Sequence, residues 1–294
     1  MRAFASLPMP LLYALADFLA WIAYRIARYR AHVVRPNLQK AFPQLEAGAI
    51  ERLMRDYYRG FAEVLVEIIK SARMSLEQMR ERVHIVNPGL LRERLARNQS
   101  VLLVAAHQCN WEWMLLALSA DLGYPLDAAY KPLVNTWAER EMLTIRERFG
   151  ARMVPAQNLL ADVLQRGRIT RAVALVADQE PVQSERKHWL RFLNRDSAFF
   201  LGAEEIARVT RAPTFFIAMR RLRRGVYEMR FELLAEPASE KLRAGDITER
   251  YAARVEEQIR DAPADWPWSH KRWKLHKPLY GTASRAAGSR GVTG

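Results

Sequence analysis

The chain has 294 residues, half of them hydrophobic, which suits one large α/β domain or two small ones and excludes an intrinsically disordered protein. Lysine and arginine number 46 against 32 acids, and the resulting formal net charge of +14 points to nucleic acid, an anionic membrane or a phosphorylated substrate. The single cysteine, Cys109, excludes an internal disulfide and a cysteine-based zinc site and is compatible with a reducing compartment.

The stretch from Pro8 to Tyr24 is apolar except for Asp17 and is followed by Arg25, Arg28 and Arg30. Its length is near the lower limit of ~17–25 residues for a membrane span. No small-residue cleavage site follows, so a removable signal peptide is not expected. A short transmembrane helix with its basic flank in the cytoplasm, a helix lying in the interface, and a buried helix of a soluble core all fit. Residues 1–30 are assigned to a membrane anchor helix, residues 31–280 to the main domain, and the small, polar residues 281–294 to a disordered tail.

Proline at 36 and at 43 predicts a short helical piece between two breaks. Ile50, Leu53, Met54, Tyr57, Phe61, Val64, Leu65 and Ile68 recur at helical spacing and predict a longer helix over 46–70. From residue 83 short apolar runs alternate with helical patterns. Strands are expected at 101–106, 126–130, 152–154, 172–177, 213–219 and 225–234. Helices are expected at 111–122, 137–149, 158–165, 203–210 and 247–261. Such alternation implies an α/β fold with a mixed, largely parallel central sheet flanked by helices on both faces.

His107 stands just past the 101–106 strand, and Glu112 follows five positions later in His107-Gln-Cys-Asn-Trp-Glu112. Residues five apart on one helix diverge by about 140°. The two side chains can meet only if His107 lies in the turn and Glu112 in the first turn of the next helix. The end of a strand at a helix N-terminus is where α/β proteins place active sites. A neutral imidazole there can take a proton from an alcohol attacking a carbonyl, with the carboxylate holding its other nitrogen. The bland alternative is a satisfied strand-end histidine and a glutamate favoured by the helix dipole.

Cys109 reads either as a nucleophile with His107 as its base or as an inert buried thiol. Lys131 closes the 126–130 strand on the same sheet edge as His107 and is a candidate phosphate contact. Asp178 ends a third strand and is read as a turn cap. The apolar, aromatic and basic segment 188–202 suits either a lipid-facing, acyl-binding loop or an ordinary buried one. Arg220, Arg221, Arg223 and Arg224 form a cationic patch suited to anionic lipid. No zinc finger, RNP-like motif or basic helix followed by heptads is found, so nucleic acid is not an expected partner.

His107-Gln-Cys-Asn110-Trp111-Glu112 resembles the H-x4-D/E motif of the lysophospholipid acyltransferase superfamily. More narrowly, the chain is similar to the bacterial lipid A biosynthesis acyltransferases, the lauroyl/myristoyl late acyltransferases. The similarity runs from the N-terminal anchor to residue 277, through the 37–43 segment, Tyr130-Lys131-Pro132, Arg148-Phe-Gly-Ala-Arg152, Asp178-Gln179 and Trp266-Pro-Trp-Ser-His-Lys-Arg-Trp-Lys274. It implies a glycerol-phosphate-acyltransferase-like fold, His107 as general base, Glu112 as the acid that orients it, and Asn110, Trp111, Lys131 and Gln179 as substrate-binding residues. It further implies an acyl thioester, carried on acyl carrier protein, as co-substrate, with no metal and no cofactor. The acceptor would be an anionic glycolipid at the cytoplasmic face of a bacterial inner membrane. Backbone amides near Asn110 would cradle the oxyanion. The chain departs from the family pattern at Cys109, where glycine is usual, at Lys131, where arginine is usual, and at Glu180, where a second aspartate is common. The acceptor therefore stays open. A thiol acyl hydrolase or transferase built on Cys109, and a non-catalytic membrane-binding protein, remain the alternatives.

Overall fold

Seven strands of mostly parallel sheet organise the protein in the computed structural model, which describes residues 2–277. The expected tail at 281–294 lies outside the described residues. Helices α1 (Arg2–Ala5) and α2 (Met9–Trp21) open the chain, and α2 runs on into a π-helical turn, Ile22–Ile26. Next come α3 (Ala31–Ala41), α4 (Ala47–Ser71), α5 (Leu76–Arg82), β1 (Val83–Ile85) and α6 (Gly89–Ala96). The alternating region follows as β2 (Val101–Ala105), α7 (Trp111–Asp121), β3 (Leu126–Tyr130), α8 (Thr136–Arg146), β4 (Arg152–Pro155), α9 (Leu159–Gln165) and β5 (Ala172–Val176). A hairpin, β6 (Lys187–Phe192) and β7 (Arg195–Phe200), precedes α10 (Gly202–Thr210), β8 (Thr214–Arg223), β9 (Val226–Ala235) and α11 (Asp246–Asp261).

The sheet order is β1-β9-β8-β2-β5-β3-β4, with β8 and β9 the one antiparallel pair in it. The α/β reading and its mixed, largely parallel sheet are thus borne out. β2 is buried at every residue, as a parallel strand covered on both faces must be. Its alternating side chains divide the core in two. Leu102 and Val104 pack under α3, α4, α9, α10 and α11, whereas Val101, Leu103 and Ala105 face α5, α6, α7 and α8.

Three local expectations need correction. Pro36 does not start a helix: it sits inside α3, which begins at Ala31 and forgoes one i→i−4 hydrogen bond there. The 188–202 segment is not a loop. It is the β6–β7 hairpin, and Phe192, Leu193, Ala198 and Phe199 are fully buried rather than lipid-facing. Its two-residue turn, Leu193-Asn194, has both φ angles positive (49° and 63°), as a primed hairpin turn requires, without the usual Asn-Gly signal. The Arg220–Arg224 patch is largely neutralised from within. Arg220 pairs with Glu228, Arg221 with Glu63 and Asp265, and Arg224 with Glu63 and Asp17.

The N-terminal helix α2 packs on α4 through Leu12, Ala16 and Ala20 against Ala62 and Val66. Its other side leaves Leu11, Phe18, Leu19 and Trp21 exposed, and Ile26 beyond it. The stretch Met9–Ile26 is long and apolar enough, by length and composition, to cross a membrane.

Leu103, with no exposed surface at the sheet centre, sets the scale of this packing. Leu103→Ala is expected to destabilise the protein by about 2–5 kcal/mol. Urea denaturation in detergent, followed by tryptophan fluorescence, measures it; a loss well under ~1 kcal/mol would contradict the packing described.

Candidate active site

The register between β2 and β5 builds the site. Ala105 lies opposite Val176, so the residues two places past each strand end, His107 and Asp178, emerge side by side. The ladder runs one step further through the Ala177 N–H, which donates to the Ala105 carbonyl. His107 Nδ1 is 2.6 Å from Asp178 Oδ1, and the His107 backbone N–H donates to Asp178 Oδ2 at 3.1 Å. The Trp266 indole N–H donates to the same Oδ2 at 2.8 Å. Burial alone would raise the Asp178 carboxyl, but the His107 charge and hydrogen bond, with Trp266, outweigh it and hold it below the usual carboxylate range.

This arrangement fixes the imidazole. With Nδ1–H donating to Asp178, the Nε2 lone pair is left on the other side, 3.4 Å from the Gln179 side-chain amide. The ring meets Trp111 edge-on, with centroids 5.3 Å apart. His107, Trp111, Glu112, Lys131, Arg146 and Gln179 all line one cavity of about 330 Å³. Its remaining wall is apolar and includes Met114, Leu115, Leu118, Met153, Leu175 and Ile217. Three parallel strands, β2, β5 and β3, thus deliver His107, Gln179 and Lys131 to one edge, as the sheet's topology demands.

Glu112 does share this cavity, but it does not hold the imidazole. It is buried at the start of α7 and forms a two-pronged ion pair with Arg146 of α8, at 2.9 Å to Nε and 2.6 Å to the terminal nitrogen. The guanidinium fork occupies both carboxylate oxygens, and Asp178 takes the orienting contact expected of Glu112. Asn110 is also displaced from its expected role. It is fully buried, its Oδ1 caps α7 by accepting from the Trp113 N–H, and its Nδ2 donates to Glu67. Trp111, Lys131 and Gln179 do line the cavity.

Cys109 is removed from the chemistry. Its φ of +55° lies in the left-handed region, which accounts for the glycine usual at this place in the family pattern. Its thiol is buried against the Met219 carbonyl and lies outside the His107 cavity. Burial, with Asp265 nearby, pushes the thiol well above its ordinary range. The Cys109 N–H donates to the Asp265 carbonyl, so that amide is not available to an oxyanion.

Four residues central to this geometry escaped the sequence reading: Asp178 as orienting acid, Arg146, Trp266 and Glu67. Glu67 of α4 is fully buried and accepts from Tyr13 of α2, Tyr227 of β9 and Asn110, while its carbonyl accepts from the Trp113 indole. It fastens the N-terminus of α7 from below. Burial pushes its carboxyl up, against those donors. Asp178 alone left a partial signal, an acid just past the apolar run 172–177 as His107 stands just past 101–106, but the register that pairs them is seen only in the structure. Among the described residues no group of three or more His, Cys, Asp or Glu is placed to hold a metal ion.

Asp178→Asn should keep the fold, by circular dichroism, yet lower turnover about 10²–10⁴-fold if His107 acts as a base, because the amide favours the wrong imidazole tautomer. Wild-type turnover in that variant would remove Asp178 from the site.

Comparison with known proteins agrees with the motif-based resemblance. Residues 1–275 match the family model described as bacterial lipid A biosynthesis acyltransferase. The chain is 24% identical over 274 residues to a lipid A biosynthesis palmitoleoyltransferase of Escherichia coli (strain K12), covering 92% of this chain and 87% of that protein. A lipid A biosynthesis acyltransferase of Shigella flexneri gives the same identity and coverage. One from Haemophilus influenzae (strain ATCC 51907 / DSM 11121 / KW20 / Rd) is 22% identical over 256 residues, covering 84% of this chain and 76% of that protein. The chain belongs to the bacterial lipid A biosynthesis acyltransferase family and is an acyltransferase.

Proposed function

We propose that the protein moves a fatty acyl chain from acyl carrier protein to a hydroxyl of a lipid A precursor or related glycolipid, with His107 as general base. One observation carries the reading. His107 turns one nitrogen to a buried carboxylate and lines, on its other side, a cavity that joins an apolar stretch of wall to the polar side chains of Glu112, Lys131, Arg146 and Gln179. That combination suits a base working beside an acyl chain.

In the proposed step, Nε2 takes the proton of the acceptor hydroxyl as its oxygen attacks the thioester carbonyl. Asp178 stabilises the imidazolium that forms. The tetrahedral intermediate collapses, the C–S bond breaks, and the imidazolium returns its proton to the departing thiolate. Ester and free thiol balance thioester and alcohol, so the scheme calls for no further cofactor. Of the first amides of α7, which lack carbonyl partners within the helix, that of Trp113 is taken by Asn110, and those of Trp111 and Glu112, with Gln179, are suited to the oxyanion. Glu112 contributes by holding Arg146 in the cavity wall, where its cation faces charge developing on the substrate. Lys131 serves a substrate phosphate as a point charge.

We place the reaction at the cytoplasmic face of the inner membrane. The exposed apolar face of α2 and the arginines after it support that location. The basic composition suits both an acidic carrier protein and an anionic lipid.

His107→Ala should abolish transfer from labelled acyl carrier protein to a membrane lipid extract, a fall of about 10²–10⁴-fold with fold and membrane association retained. Near-normal turnover would end the base assignment. Cys109→Ser, by contrast, should keep most of the activity; an inactive variant with acyl chain trapped on the wild-type thiol would favour ping-pong chemistry instead.

A further inference from the structure

A second concave site lies apart from the His107 cavity. Its volume is about 480 Å³, and Tyr24, Arg25, Arg28, His32, Arg35 and Glu51 line it. Its walls come from the turn after the apolar helix, from α3 and from α4. Three arginines face one acid there. Glu51 is already engaged by Arg35 and by the Tyr24 hydroxyl. Among the described residues Arg25 and Arg28 have no carboxylate partner, and Arg25 only rests over the Tyr24 ring. The hollow therefore keeps unspent positive charge, unlike Arg220, Arg221 and Arg224, which acids of the fold neutralise.

The backbone around this hollow is unusual in two ways. Residues Ile22–Ile26 form a π-helix, a rare geometry that is frequent at functional sites. Arg28 and Arg30 hold φ at 44° and 50°, in the left-handed region that side chains seldom occupy. Strain of this kind persists where the surroundings over-determine it, commonly at ligand sites. Location supplies the last element. The hollow begins three residues after Trp21, next to the exposed Phe18, Trp21 and Ile26. Aromatic side chains of this kind sit at headgroup depth, which puts the arginines level with lipid phosphates.

We propose that this hollow binds the phosphate of an anionic phospholipid headgroup, with Arg25 and Arg28 as its principal ligands and His32 as an auxiliary donor. The site goes beyond acyl transfer and does not depend on the chemistry assigned to His107. Guanidinium forks match phosphate oxygens bidentately, so recognition should depend on arginine itself and not on charge alone.

Titration calorimetry on the detergent-solubilised full chain tests it, with short-chain phosphatidylglycerol, short-chain phosphatidylcholine and inorganic phosphate as separate probes. Wild-type protein should prefer phosphatidylglycerol. Arg25→Gln with Arg28→Gln should weaken its binding by at least about fivefold, the worth of one basic residue near a membrane surface. Lys40→Gln with Arg52→Gln removes the same charge outside the hollow and should leave the preference intact. Arg28→Lys should keep the fold and charge yet lose part of the affinity. Equal losses in both double variants would show diffuse attraction and overturn the site, as would no headgroup preference in wild type. Inorganic phosphate binding as tightly as phosphatidylglycerol would overturn the lipid assignment.

Discussion

A single parallel register sets the active site. Because β2 and β5 pair residue for residue, an imidazole and a carboxylate leave adjacent strand ends at the same height and meet at 2.6 Å. A slip of one residue would turn every β2 side chain to the other face, moving Leu102 and Val104 out of one core and Leu103 out of the other. The hydrophobic pattern that stabilises the sheet therefore also aligns His107 with Asp178. The site needs no flexible loop to assemble it.

Burying Asp178 would be unfavourable if it stood alone. The C-terminal segment supplies what it lacks. Trp266 donates to the carboxylate, and the buried Arg272 donates from Nε to the Asp178 carbonyl while lying over the Phe199 ring. Burial lowers Arg272 to about 10, which still leaves it charged at neutral pH. The nearby His270 is pushed down by burial to about 4 and stays neutral. Asp178 thus meets a fixed cation through its backbone carbonyl and the His107 imidazole through its side chain. Glu67 plays a matching part beneath α7, where donors from three separate elements converge on one carboxylate.

Much of the fold was legible because periodicity reports burial. The fully apolar run at 101–106 marked a central strand, and His107 at its end marked the site. The partner of His107 was not legible in the same way. Glu112 is near in sequence and Asp178 is 71 residues distant, and local spacing favours the near acid. Only strand register, a tertiary fact, decides between them, and only the position of α8 reveals that Arg146 already holds Glu112. Similar reasons hid the hairpin. Leu193-Asn194 carries no glycine, and the left-handed turn is held by packing of Leu193 and its neighbours, a contribution that turn chemistry alone does not contain.

Asp17, the one charge interrupting the N-terminal apolar run, also acquires a reason. It meets Arg224 in the β8–β9 turn at 2.5 Å, and Arg224 in turn holds Glu63 of α4. Tyr13, one turn earlier, donates to Glu67. Tyr13 and Asp17 of α2 are therefore bonded to the protein beside the packed Leu12, Ala16 and Ala20, and a second apolar face is turned outward. A full span would carry the adjoining Arg59, Glu63 and Arg224 of the packed domain toward hydrocarbon, where charges are expensive. Lying in the interface, the same helix would keep those ion pairs at the wet side and sink only Leu11, Phe18, Leu19 and Trp21. That geometry would leave the basic turn after Trp21 at headgroup level, while Tyr13 links the helix, through Glu67 and Asn110, to the turn that carries His107.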